Sequence, residues 1–248
     1  MLITLIIILG LCLGSFATCL AYRSKYRYSL LYPHSFCETC QHNLTWWQLL
    51  PVLGYVLQKG HCHFCHQKIS PLSTYIELGF GLLLGSVCYF LPWEIWPNFI
   101  LTSFWLLCLS LEDWQDTTIS LYLLILGAIC LLTLAPLQLS FTQVVLFGVL
   151  FWANWTKKLG YGDTFVILVL GITLGDQTLA SILFIASLTA LIYAKYTKQH
   201  AFPFVPFLSV GYLLSLPIAL NWAKFLKKIK SKGLSKQNQA VSTIIYSV

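Results

Sequence analysis

Two cysteine pairs, Cys37-Glu38-Thr39-Cys40 and Cys62-His63-Phe64-Cys65, stand 21 residues apart in the only long polar stretch of the chain. Each pair can offer two thiolates to one ion from a single tight turn. Two pairs complete a four-cysteine zinc site with Cys37, Cys40, Cys62 and Cys65 as ligands. A closed four-thiolate site holds a fold together and leaves no open position for hydrolysis. One CxxC alone is also a redox motif. Five neighbouring histidines (His34, His42, His61, His63 and His66) leave a set of three cysteines and one histidine open. The remaining cysteines, Cys12, Cys19, Cys88, Cys108 and Cys130, lie in apolar runs and read as small buried hydrophobes.

The second chemical signal is carboxylate. Glu112-Asp113-Trp114-Gln115-Asp116 follows one apolar run, and Gly160-Tyr161-Gly162-Asp163 follows another, in a chain with only eight Asp and Glu. Acids at the edge of a membrane core are costly unless paired, protonated or used. The glycines before Asp163 permit tight or left-handed backbone and a close approach by another segment. Two carboxylates brought together cannot both ionise readily and share a proton. That arrangement suits peptide hydrolysis: the ionised member draws a proton from water while the protonated one bonds the scissile carbonyl. Ordinary interfacial acids marking helix ends would have the same appearance in sequence. Glu112 is expected to face water.

The elements that must position these groups follow from composition. The 248 residues are 58% hydrophobic and 9% charged, with a mean hydropathy of +0.76. A soluble domain carries about 25% charge, so a cytosolic enzyme, a disordered chain and a disulfide scaffold are excluded. The chain is expected to be an all-α polytopic membrane protein. Residues 1–20 form a first helix followed by Arg23, Lys25 and Arg27, the wrong flank for a cleaved signal peptide. Apolar runs recur near 75–91, 96–111, 119–137, 141–155, 164–175, 178–194 and 202–222, about eight spans in all. The expected organisation is a first transmembrane helix over 1–22, a cytosolic zinc-binding loop over 23–72, a transmembrane domain over 73–222 and a basic tail over 223–248. Glycines four apart at Gly10–Gly14, Gly81–Gly85 and Gly171–Gly175 read as helix-packing positions.

Alternating eight spans from an outside N-terminus puts 23–72, 112–118, 156–163 and 195–201 on one face. All Lys and Arg outside the tail fall there, so the positive-inside rule makes it cytosolic. The six tail lysines, Lys224 to Lys236, then lie on the opposite side, against the rule. Basic charge beside apolar spans sets topology, and no nucleic-acid partner is expected.

Taken in order, these residues resemble the type IV prepilin peptidase family, membrane aspartic proteases of the GxGD kind. The resemblance runs from about residue 10 to 210. It includes Gly14-Ser15-Phe16, Tyr22-Arg23, both CxxC pairs, Leu44-Thr45-Trp46, Leu50-Pro51-Val52-Leu53, Ile69-Ser70 and Glu77. Asp113 with Ile119 is similar to the family's first catalytic aspartate and its following Ile-Pro. Gly160-Tyr161-Gly162-Asp163 is similar to the second motif, and 202–207 to the late PFGPF segment. This chain departs at Ser120, where the pattern has Pro, and at Val205, where it has Gly. It departs again at Ser73-Thr74, in place of Tyr-Pro, and at Thr164, near which the pattern has Lys. Asp116 fits the Ile119 landmark less well than Asp113.

The resemblance implies catalytic Asp113 and Asp163 in a multi-pass protein of the bacterial cytoplasmic membrane. The substrates would be type IV prepilins or pseudopilins, cut after a Gly between a basic leader and an apolar helix. Roles in pili, protein secretion or competence are all compatible with it. It also implies N-methylation of the new N-terminus with S-adenosylmethionine, though 23–72 contains no glycine-rich nucleotide fingerprint. Two other classes remain open from the residues alone. A proton- or metal-coupled transporter would show inverted halves with broken helices. A non-catalytic assembly factor would keep its function without either aspartate.

Overall fold

The structure, a computed structural model, describes residues 1–29, 32, 34–134, 137–156, 160–197 and 203–217. The basic tail lies outside the described residues, as do Lys157, Lys158, Lys198 and Phe202. Among those described there are helices and two isolated β-bridges, with no strand.

The helices in chain order are α1 (Leu2–Lys25), α2 (Leu53–Leu57), α3 (Leu72–Phe90), α4 (Trp96–Asp116), α5 (Leu121–Leu134), α6 (Phe141–Trp155), α7 (Tyr161–Leu174), α8 (Asp176–Thr197) and α9 (Val205–Pro217). Apart from α2, each corresponds to one apolar run of the sequence. Four are long and apolar enough to cross a membrane: α1, α3, α8, and α4 with the short turn before it; the other four are shorter. At 1.5 Å per residue, the 14 residues of α7 reach about 21 Å, less than a hydrocarbon core of about 30 Å. The expectation of about eight spans corresponds to eight apolar helices among the described residues, of which only four are of spanning length. Their outer faces are apolar and open, as at Phe184 (71% exposed) and Leu191 (69% exposed), the surface a bilayer covers.

α1 and α3 pack backbone to backbone. A methyl group on Gly10 would lie 2.7 Å from the Gly81 Cα, and one on Gly14 would lie 2.9 Å from the Glu77 Cα. The expected small-residue contact is therefore the α1–α3 seam. Gly171–Gly175 differs: Gly175 ends α7 at φ +81°, a left-handed stop that glycine adopts without strain. α4 nests on α5 through Trp105, whose indole N–H donates to the Leu123 carbonyl at 3.1 Å while its ring lies over Gly127. α9 lies against α8 where Gly211 meets the Ile182 carbonyl. The buried centre includes Phe99, Leu109, Leu131, Leu170, Ile182 and Leu208. The C-terminal ends of α1 and α4 are joined by a Lys25–Asp116 ion pair at 3.9 Å. The cysteine loop follows α1, so it shares that end of the bundle with the N-termini of α5, α7 and α9.

Candidate active site and metal centre

The two CxxC segments fold into the same knuckle twice. The Cys37 N–H donates to the His42 carbonyl at 2.9 Å, and the Cys62 N–H to the Gln67 carbonyl at 2.9 Å. The Gln41 N–H returns to the Cys37 carbonyl, and the His66 N–H to the Cys62 carbonyl. Gln41 and His66 both take positive φ, 58° and 57°. Each knuckle is closed by one bridge, Phe36 to Asn43 and His61 to Lys68. These local bonds turn the two pairs toward each other. All four sulfurs lie within 4.8 Å of one another, with Cys37 to Cys65 at 3.9 Å and Cys40 to Cys62 at 4.0 Å. A tetrahedral Zn–S shell of about 2.3 Å spaces its sulfurs by about 3.8 Å, so the cage fits.

One of the four sulfurs, that of Cys62, is also chemically prepared. Backbone N–H groups of Cys65 and Phe64 bring the Cys62 thiol down to about 6. Cys65 moves the other way, to about 11. The Gln67 N–H favours its thiolate, but desolvation and the neighbouring sulfurs of Cys62, Cys40 and Cys37 outweigh it. Four thiolates this close need a cation among them. No histidine joins the group among the described residues. His42 lies tilted against Phe64 at 3.5 Å between ring centres, His63 meets Trp47 edge-on, and His61 Nδ1 bonds the Lys59 carbonyl. The loop is tied to the bundle where the Val52 N–H donates to Glu77 Oε2 at 2.8 Å. Of the other cysteines, Cys88 and Cys108 are buried as expected, whereas Cys12 is exposed on α1.

Asp113 sits in the last turn of α4 and is 5% exposed. The Val205 N–H, at the start of α9, donates to its Oδ2 at 3.0 Å, so an orphan helix-terminal donor meets an acid. Asp163 lies in the first turn of α7, close enough to Asp113 that one carboxylate acts electrostatically on the other. Residues 50 positions apart are thus brought within electrostatic reach of each other at one end of the bundle. The glycines before Asp163 do different work. Gly160 has an ordinary φ of −72°, and a methyl there would press to 3.3 Å from Asp163 Oδ2. A methyl on Gly162 would lie 2.8 Å from the Ile119 Cδ1. The expected close approach is present, and the chain that approaches is the α4–α5 turn.

Two other acids of the Glu112–Asp116 segment separate clearly. Asp116 is exposed and pairs with Lys25. Glu112 corrects the sequence expectation: it does not face water but is 5% exposed. Its carboxylate accepts the Ser120 N–H at 2.9 Å and the Ser120 hydroxyl. Sequence reasoning also missed Asn154 on α6, which is buried and donates to Thr164 Oγ1 at 2.9 Å. Thr164 in turn bonds the Gly160 carbonyl, steadying the turn before Asp163. The one available signal was a lone Asn near the end of an apolar run.

Comparison with known proteins agrees with this geometry. Residues 8–91 match the Bacterial Peptidase A24 N-terminal domain, and residues 100–195 match the Type IV leader peptidase family. The chain is 32% identical over 221 residues to a prepilin leader peptidase/N-methyltransferase of Neisseria gonorrhoeae, covering 79% of this chain and 77% of that protein. It is 30% identical over 206 residues to the type 4 prepilin-like proteins leader peptide-processing enzyme of Escherichia coli, covering 74% and 75%. A Bacillus subtilis prepilin leader peptidase/N-methyltransferase is 27% identical over 86% of this chain and 93% of its own. No solved structure matches the chain. Two domain matches in tandem and relatives aligned over most of both lengths establish that this chain belongs to the Type IV leader peptidase family.

Proposed function

We propose that this protein is a membrane-embedded aspartic endopeptidase. It removes the short basic leader from type IV prepilins or pseudopilins, after a Gly, at the cytosolic face of the bacterial cytoplasmic membrane. The observation that carries the reading is that Asp113 and Asp163, on separate helices, lie within electrostatic reach of each other at one end of the bundle. Such a pair holds one proton between two carboxylates. The ionised member takes a proton from water as that water attacks, and the other donates to the scissile carbonyl. No covalent intermediate on the enzyme is needed. A leader bearing positive charge stays cytosolic, which supports cleavage where these helices end.

The cysteine cage supports a structural zinc held by Cys37, Cys40, Cys62 and Cys65, which staples a loop too poor in aliphatic residues to hold itself. Several relatives carry N-methyltransferase in their names, which supports a second activity here: methylation of the exposed N-terminus with S-adenosylmethionine as donor. The domain organisation we favour keeps 1–22, 23–72, 73–222 and 223–248 as first helix, zinc loop, peptidase domain and tail.

The test is co-expression with a candidate prepilin, reading leader removal on a gel for wild type, Asp113→Asn, Asp163→Asn and Asp116→Asn. Cleavage is expected to vanish in the first two variants and persist in the third. Equal processing in all four would overturn the reading. A mature pilin lacking the mass of one methyl group would remove the methylation claim alone.

A further inference from the structure

Glu112 stands beside Asp113 in sequence but serves neither water nor an ion pair in the structure. It is buried, and its carboxylate accepts from both the N–H and the hydroxyl of Ser120. Ser120 immediately precedes α5, and its carbonyl accepts the Leu124 N–H at 3.1 Å, so it caps that helix. The N–H of a residue in this position has no partner inside the helix and must find one outside. Glu112 provides it, and also sets a negative charge at the positive end of α5.

The turn held in this way is under strain. Thr117 lies in the left-handed region at φ 52°, unfavourable for a β-branched side chain. Two residues on, Ile119 fills the notch left by Gly162, where even a methyl would come within 2.8 Å of its Cδ1. Gly162 is joined directly to Asp163. A continuous line of contacts therefore runs from Glu112 through Ser120 and Ile119 to the backbone that carries Asp163.

We infer that Glu112 is a positioning residue: by accepting the Ser120 N–H it fixes the α4–α5 turn, and the turn sets where Asp163 stands relative to Asp113. This rests on the peptidase reading and adds a residue to it. Glu112 touches no substrate in this account and acts only by geometry. Small misplacement of reacting groups is enough to slow a reaction strongly.

Proline separates this from other roles, because it has no N–H to satisfy and its fixed φ suits a helix start. The experiment uses full-length protein in detergent and a synthetic peptide with a lysine-containing leader, Gly, Phe and an apolar helix. Glu112→Leu is expected to lower kcat on the order of tenfold or more while KM holds. Glu112→Gln, which still accepts, is expected to stay near wild type. Glu112→Leu combined with Ser120→Pro is expected to recover most of kcat. A double variant no more active than Glu112→Leu overturns the inference. So does a rise in KM at unchanged kcat, which would make Glu112 a contact for the basic leader. The same cycle is read in thermal unfolding, where proline should restore the midpoint lost in Glu112→Leu. A wild-type protein that leaves the peptide intact removes the peptidase reading, and the unfolding cycle still decides whether Glu112 holds Ser120.

Discussion

The cysteine loop and the carboxylate site lie at the same end of one bundle and are built in opposite ways. Each knuckle is closed by hydrogen bonds between residues no more than nine positions apart. Its ligand geometry is therefore written into a short segment, and the two segments need only meet once. The carboxylate site takes Asp113 from the end of α4, Asp163 from the start of α7 and the Val205 N–H from the start of α9. Nothing local forms it; three helices must pack correctly first. A local device tolerates change elsewhere in the fold, while an assembled one reports on every helix that supports it.

That contrast can be broken or sharpened by experiment. The largest effect is expected at the assembled site. Asp113→Asn or Asp163→Asn should reduce leader cleavage by about a hundredfold to ten-thousandfold, with helical content unchanged by circular dichroism. Cleavage at wild-type rate in either variant would dissolve the site.

The local device should fail separately. Cys62→Ser should take bound zinc, measured by elemental analysis, from about one per chain to near none, while leader removal continues. Acid should do the same. The Cys62 thiolate exists above a pH of about 6 and takes up a proton as the pH falls through that value. Zinc should thus be retained at neutral pH and released on acidification. Because the ion itself holds its thiolates deprotonated, release is expected below that pH, and rebinding on return to neutral pH checks the cage. Loss of cleavage together with zinc would mean that the two regions are coupled.

Smaller effects test the scaffold. Gly10→Ala drives a methyl against the Gly81 backbone and should cost about 1–3 kcal/mol in unfolding experiments. Asp116→Asn removes only an ion pair whose two side chains are 39% and 42% exposed. It should cost no more than about 1 kcal/mol and leave cleavage intact.

Much of this was legible in the residues. The spacing Cys37, Cys40, Cys62, Cys65 pointed to the four sulfurs that the structure gathers within 4.8 Å, because a CxxC turn can present its sulfurs in few ways, though it left a histidine ligand open. Composition named the membrane class, since so few charges cannot cover so much apolar surface. Other parts were not legible. Gly171 and Gly175 have the same spacing as Gly10 and Gly14, yet Gly175 is a helix stop; only the backbone angle distinguishes them. Eight apolar runs gave eight helices, but their lengths depend on where each cap falls.

The acids of Glu112–Asp116 mark the boundary most sharply. By itself the sequence determined that carboxylates would cluster at helix ends beside apolar core, Asp163 among them; that Asp163 begins a helix is seen only in the structure. Tertiary structure decided their separate fates. Glu112 and Asp113 point about 100° apart on α4, while Asp116 lies one turn beyond Glu112 on nearly the same face, so height along the helix as well as angle sets which neighbour each meets. Those neighbours are the cap of α5, the first N–H of α9 and the lysine ending α1. What surrounds a helix comes from segments distant in the chain, and periodicity along one segment carries no record of them.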